Sequence, residues 1–184
     1  MTRIISGKFR GKQIKAPLNL PVRPTTDFAK EGLFNILNNH FYFEEISVLD
    51  LFAGTGNLSY ELASRGCEQI TAVDQNPKCC SFIEKTAQSI GFADNLQVHR
   101  AEVLDFIKRD YRTYDLILAD PPYDYTQYEE LIEQIIFKKL LAEDGFLVLE
   151  HDRETDLSHL EHFYEVRNYG KVAFSFFSLA EENE

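Results

Sequence analysis

Several features are missing from this sequence, and each absence closes off a class of protein. No apolar run approaches the length of a membrane span, and Thr2 to Phe9 lacks the apolar core of a signal peptide, so a cytoplasmic chain with no membrane partner is expected. Cysteine is scarce and odd in number, and the neighbours Cys79 and Cys80 are poorly placed to pair with each other; with Cys67 they read as reduced thiols. The five histidines, His40, His99, His151, His159 and His162, lack the companion thiolates or carboxylates of a zinc site, so no metal is expected. His159 and His162 read as surface residues. There is no internal repeat, and 184 residues suit one domain with a full core and at most a small extension.

Positive charge is also in short supply, but only beyond the front of the chain. The net charge is −11, yet residues 1–30 hold seven cations (Arg3, Lys8, Arg10, Lys12, Lys15, Arg23, Lys30) against the single acid Asp27, giving +6 there and −17 elsewhere. The basic front is therefore a separate electrostatic object, suited to an anionic polymer. Thr2 to Pro17 suggests a hairpin or a pair of short strands with Lys8, Arg10 and Lys12 at its tip and Phe9 among the cations, a tip suited to phosphates with a base or sugar on the ring. Pro17 to Pro24 reads as a linker. A helix follows in which Thr26 or Asp27 caps free amides and Leu33, Ile36, Leu37 and Phe41 form the apolar stripe.

What the chain has in full is a strand, a glycine turn and a helix. Ile46 to Phe52 is apolar and β-branched, Gly54 and Gly56 permit a close ligand approach, and Asn57 to Arg65 carries helical spacing. A second strand, Gln69 to Asp74, ends in an acid 18 residues beyond Gly56, the spacing at which a nucleotide-binding βαβ unit places a ribose ligand. A helix from Pro77 stops at Gly91; Leu96 to His99 is a third strand, followed by Glu102-Val103 and a short helix. Tyr114 to Ala119 is a fourth, apolar strand ending in Asp120-Pro121-Pro122-Tyr123, where two prolines fix an acid and an aromatic ring just beyond a strand's carboxyl end. Tyr128, Leu131, Ile132, Ile135 and Ile136 mark the next helix, Gly145 to Glu150 a fifth strand, and Leu157 to Phe163 a further helix. Two closing strands, near 164–169 and 172–179, join at Gly170-Lys171 as an antiparallel hairpin at the sheet's edge, and an acidic tail, Glu181 to Glu184, follows.

The glycine turn, Asp74 and Asp120-Pro-Pro-Tyr123, in this order, resemble the class I S-adenosylmethionine-dependent methyltransferases that act on exocyclic amino groups of bases. Arg3-Ile-Ile-Ser-Gly-Lys-Phe-Arg-Gly11, Arg23-Pro-Thr-Thr-Asp27 and Glu31-Gly-Leu-Phe34 narrow this: the chain is similar, from Arg3 to about Phe177, to the bacterial RsmD family of 16S ribosomal RNA guanine-N2 methyltransferases, named for guanine 966. The resemblance implies an α/β, Rossmann-like fold with a seven-stranded, mostly parallel sheet, its last strand antiparallel, and helices on both faces. To this it adds a basic N-terminal hairpin extension (1–24) ahead of a single methyltransferase unit (25–184). It implies S-adenosylmethionine as cofactor, with Asp50, Phe52, Gly54 and Gly56 around the methionine portion, Asp74 at the ribose, Glu102 with Val103 at adenine, and Thr55 and Gln75 as further cofactor-binding residues. Such enzymes have Asp where this chain has Glu102. It implies 16S rRNA within the small (30S) subunit as partner, contacted through Arg3, Lys8, Phe9, Arg10, Lys12, Arg23, Thr25 and Thr26, and a monomeric enzyme. Chemically, Asp120 and the Pro121 carbonyl can accept both N–H bonds of a guanine amino group while Tyr123 stacks on the extruded base. The Asp-Pro-Pro-Tyr segment is shared with adenine-N6 methyltransferases, and Gly54-x-Gly56-x-x-Ser59 nearly matches a dinucleotide-binding oxidoreductase. A non-enzymatic RNA-binding assembly protein would use the same basic front.

Overall fold

A computed structural model describes residues 2–17, 20 and 25–180; Arg23 and the acidic tail fall outside them. Strands β1 (Thr2–Arg3) and β2 (Gln13–Ile14) pair antiparallel as the base of the expected hairpin. Helix α1 (Asp27–Leu37) starts at Thr26, whose Oγ1 accepts from Ala29 N at 3.2 Å, so Thr26 rather than Asp27 is the cap. Then come β3 (Ser47–Leu51), α2 (Asn57–Ser64), β4 (Gln69–Asp74), α3 (Pro77–Ile90), β5 (Leu96–Arg100), α4 (Val103–Arg109) and β6 (Tyr114–Ala119). The chain continues with α5 (Tyr128–Phe137), β7 (Leu141–Asp152), β8 (Phe163–Tyr169) and β9 (Val172–Phe177).

Seven strands form one sheet in the order β5-β4-β3-β6-β7-β9-β8, parallel except for β9, which runs against both β7 and β8. The chain winds outward from β3 in both directions, so the crevice beyond the carboxyl ends of β3 and β6 is the place where such a sheet receives a ligand. Leu51 pairs with Ala119, and Asp120 N donates to Leu51 O at 3.4 Å. The two exits are side by side.

Alternation along the strands feeds two cores. Val48, Leu116 and Leu118 pack with Leu33, Phe34, Leu62 and Ile83 on one face, whereas Leu49, Leu51 and Ile117 pack with Ile107, Leu131 and Ile135 on the other. Ile4 and Ile14 join the first cluster, so the hairpin is bound into the fold. Two expectations need correction. Leu157 to Phe163 is not helical; Asp156 accepts from Ser158 N at 2.9 Å and Ser158 Oγ at 2.6 Å, and His162 has φ +64°, so local side-chain bonds and left-handed backbone hold this stretch in turns. Strand β7 is longer than Gly145 to Glu150, because Leu141 already pairs with Tyr114 ahead of a bulge.

Candidate active site

The backbone turns sharply where β3 ends. Phe52 has φ +58°, a conformation that costs a bulky residue of order 1–3 kcal/mol and persists only where the surroundings impose it. Its half-buried ring meets Tyr125 edge-on, with centroids 5.2 Å apart. Gly56 is at φ +80°, and a Cβ there would lie 2.7 Å from the Tyr60 ring, so the turn into α2 requires glycine. The neighbouring exit of β4 anchors this turn: Asp74 Oδ2 accepts from Gly54 N and Oδ1 from Asn76 N, both at 2.8 Å. Asn76, not Asp74, caps α3, by accepting from Lys78 N at 2.9 Å. A carboxylate has about four acceptor positions, so Asp74 keeps capacity for a pair of ribose hydroxyls. Asp50 is almost wholly enclosed, accepts from Ser59 Oγ at 2.5 Å, and is pushed by burial to a pKa of about 7.

A cleft of about 280 Å³ opens over these exits, reaching Asp50, Phe52, Gly54, Thr55, Asp74 and Gln75 on one side and Asp120, Pro121, Pro122 and Tyr123 on the other. Glu102 and Val103 border it as well. Val103 is buried, while the Glu102 carboxylate caps α4 by accepting from Asp105 N at 3.0 Å. The far wall comes from β7, through Glu150, His151 and Asp152, which sequence reasoning missed. Tyr123 is 70% exposed, and its hydroxyl donates to Asp152 Oδ2, which fixes the ring at the mouth. His151 is buried with Nε2 2.7 Å from Ser175 Oγ, and burial lowers its pKa. Nothing in a one-dimensional pattern brings β7 beside Asp120; only the strand pairing of Ala119 with Leu149 does so.

The family described as conserved hypothetical protein 95 matches residues 2–178. The chain belongs to that family. YlbH of Bacillus subtilis, named as a proposed rRNA methyltransferase, is 36% identical over 84% of this chain and 85% of that protein. Ribosomal RNA small subunit methyltransferase D of Escherichia coli is 28% identical over 84% of this chain and 77% of its own. Among solved structures, YhhF of Escherichia coli, described as a proposed methyltransferase, superposes with a TM-score of 0.84 at 27% identity, covering 97% of this chain and 98% of that one. The RsmD family read from the front segments, and the Rossmann-like class I methyltransferase fold, are borne out.

The conserved hypothetical protein 95 fold also explains how the front of the chain reaches the cleft. Lys30 is completely buried, and its ammonium donates to Arg3 O at 2.6 Å and Asn57 Oδ1 at 2.8 Å while pairing with Glu61 Oε2 at 3.3 Å. Desolvation lowers its pKa and Glu61 opposes that shift. Glu61 also accepts from Ile5 N at 2.8 Å and Ser6 N at 3.0 Å, so one buried pair holds hairpin, α1 and α2 together. From Asn57 the chain of bonds continues to Thr25 O at 3.4 Å, and Thr25 Oγ1 donates to Glu150 Oε2 at 2.8 Å.

The residues expected to touch RNA fall into two groups. Thr25 and Thr26 line the cleft, and Arg3, which does not, pairs with Asp27 at 3.1 Å. The hairpin tip is elsewhere: Lys8 N donates to Ser64 O at 2.7 Å and Phe9 N to Ser64 Oγ at 3.0 Å, at the last residue of α2, roughly 10 Å along the helix from Asn57. Phe9 is half-buried against Phe92, with ring centroids 5.6 Å apart; Arg10 and Lys12 are exposed. Among the described residues no group of three or more His, Cys, Asp or Glu could hold a metal ion, and no helix is long and apolar enough to cross a membrane. All three cysteines are free and buried, with Cys79 bordering the cleft.

Proposed function

We propose that this protein transfers a methyl group from S-adenosylmethionine to the exocyclic N2 of a guanine in 16S rRNA of the small ribosomal subunit, the guanine 966 for which the family is named. The observation that carries the reading is the adjacency of the β3 and β6 exits, with Asp120 N bonded to Leu51 O at 3.4 Å. A donor over the glycine turn and an amino group at Asp120 then share one cleft. The fit to the cofactor rests on the donor set: acceptor capacity on Asp74 for a ribose, the buried acid Asp50 under the turn for a cationic portion, and apolar Val103 for an adenine face. When bound, S-adenosylmethionine supplies an electrophilic methyl on a sulfonium.

The rest of the chemistry belongs to the chain. A guanine amino nitrogen is a weak nucleophile because its lone pair is delocalised into the ring. The Asp120 carboxylate and the Pro121 carbonyl accept hydrogen bonds from its two N–H groups and favour the tetrahedral nitrogen that attack requires; as the methyl leaves the neutral sulfide behind, the extra proton on nitrogen passes to Asp120 or to water. Tyr123, tethered by Asp152, supplies a stacking surface for an extruded base. Alignment of this kind can remove about 7 to 11 kcal/mol from a barrier. On this reading the enzyme acts as a monomer. The test is incubation with labelled S-adenosylmethionine and, separately, small subunits lacking the modification, naked 16S rRNA and adenine-containing duplexes. Label in the subunits' 16S rRNA is expected; label confined to the duplexes would move the reading to adenine N6, and label nowhere would leave a binding protein.

A further inference from the structure

A second surface adjoins the cleft at the start of α1 and is accounted for neither by the core nor by the methyl-transfer site. Phe28 is 68% exposed on the first turn of α1, two residues after Thr26 at the cleft wall, and meets Tyr169 edge-on with centroids 5.7 Å apart. Tyr169 pairs with Val172, which itself borders the cleft, so the aromatic pair sits at the cleft's edge. The seat of Tyr169 is built into α1: a Cβ on Gly32 would lie 2.1 Å from the tyrosine ring, so only glycine lets helix and ring approach this closely. From there Glu31, Asn35 and Asn39 continue a groove along the exposed face of the helix. Its floor is aromatic, its walls offer two carboxamides and one carboxylate, and none of the described residues lining it is a cation. That set suits a nucleobase, with ring faces for stacking and amide groups for base edges, and Glu31 repels a phosphate. Cations stand nearby: exposed Lys171 follows Tyr169 by two residues, and exposed Arg153 is joined to it by a backbone bond, Arg153 N to Lys171 O at 3.0 Å.

We infer that this groove is a second nucleotide subsite, in which an unpaired base of the RNA next to the methylated one stacks on Phe28 while Arg153 and Lys171 meet the intervening phosphates. The inference rests on the proposed rRNA reading and extends it from the reacting base to its neighbour. An exposed aromatic ring at the rim of a base-flipping cleft gives the displaced strand a place to rest, and stacking on one ring is tolerant of sequence.

The test uses the full chain and small subunits lacking the modification. For Phe28→Ala we expect KM for the subunits to rise about 5- to 100-fold with kcat within about twofold. The Kd for S-adenosylmethionine should be unchanged, and Phe28→Tyr should restore KM. A photoreactive p-benzoylphenylalanine at position 28 should crosslink to a 16S rRNA nucleotide within a few positions of the methylated one. An unchanged KM, a parallel loss of cofactor affinity, or a crosslink to a ribosomal protein or a remote nucleotide would overturn the subsite while leaving the methyltransferase reading intact. If the wild-type chain labels no RNA at all, the reading beneath it falls instead.

Discussion

Asp50 and Asp74 both line the cleft near the glycine turn, yet their surroundings set them to different tasks. Asp74 is tied to two backbone amides, whereas Asp50 is buried and titrates near pH 7. Its folded pKa lies above the ordinary carboxylate value, so near neutral pH a proton competes with a cationic ligand for this carboxylate. Affinity for S-adenosylmethionine relative to its neutral-sulfur product S-adenosylhomocysteine should therefore rise between pH 6 and pH 8, as Asp50 ionises, and flatten in Asp50→Asn. Calorimetry at several pH values checks this; a constant ratio in the wild type would show that Asp50 does not sense the charge. Asp74→Ala should raise the cofactor Kd at least tenfold, since each charge-assisted bond contributes about 1.5–3 kcal/mol. Asp120→Ala should instead lower kcat by about 10²-fold with little change in that Kd. Steady-state kinetics and calorimetry on both variants separate the roles, and equal effects on both parameters would contradict them. At this scale the acids and prolines are legible in the sequence because their chemistry is carried in adjacent letters. Asp152 and His151 are not, because their partners Tyr123 and Ser175 are 29 and 24 residues away and meet only through strand pairing.

Helix α2 shows what periodicity reads and what it omits. Leu58 and Leu62 mark one apolar face, but all eight residues of the helix are buried, including Ser59, Glu61 and Ser64. The polar face is covered by the N-terminal hairpin, which satisfies it with backbone amides from Ile5, Ser6 and Phe9. No spacing rule foretells that, since the cover comes from more than fifty residues upstream. Breaking the buried Lys30–Glu61 pair should consequently damage the fold as well as the site. Lys30→Met is expected to cost about 3–5 kcal/mol in urea unfolding, because it removes one of the two cations paired with the buried Glu61 carboxylate and leaves Arg3 O and Asn57 Oδ1 without their donor. A cost below about 1 kcal/mol would mean that Arg65, which pairs with the same carboxylate at 2.9 Å, suffices to hold it. The hairpin of β8 and β9 is legible in Gly170-Lys171. The turns at Leu157 to Phe163 are not, because apolar spacing there suggests a helix while Asp156 and Ser158 satisfy each other locally.

For the molecule as a whole, strand count, the parallel centre and the order of the chemical segments are legible, since apolar strands alternating with amphipathic helices leave few other arrangements. The orientation of the basic front is less so: its tip docks on the far end of α2, away from the cleft. RNA that reaches both must extend across the side of the molecule. Lys8→Ala with Arg10→Ala should therefore weaken 16S rRNA binding and flatten its salt dependence by about 0.7–0.9 for each phosphate left without its cation. Filter binding across a salt series decides it, with an unchanged slope removing the tip from the interface. Which atom receives the methyl group is the central question for this enzyme. Nucleoside mass spectrometry of 16S rRNA, isolated from modification-free small subunits after reaction with this enzyme and labelled S-adenosylmethionine, should find the label in N2-methylguanosine at one position; label in N6-methyladenosine, or spread over many guanines, would contradict the proposed transfer.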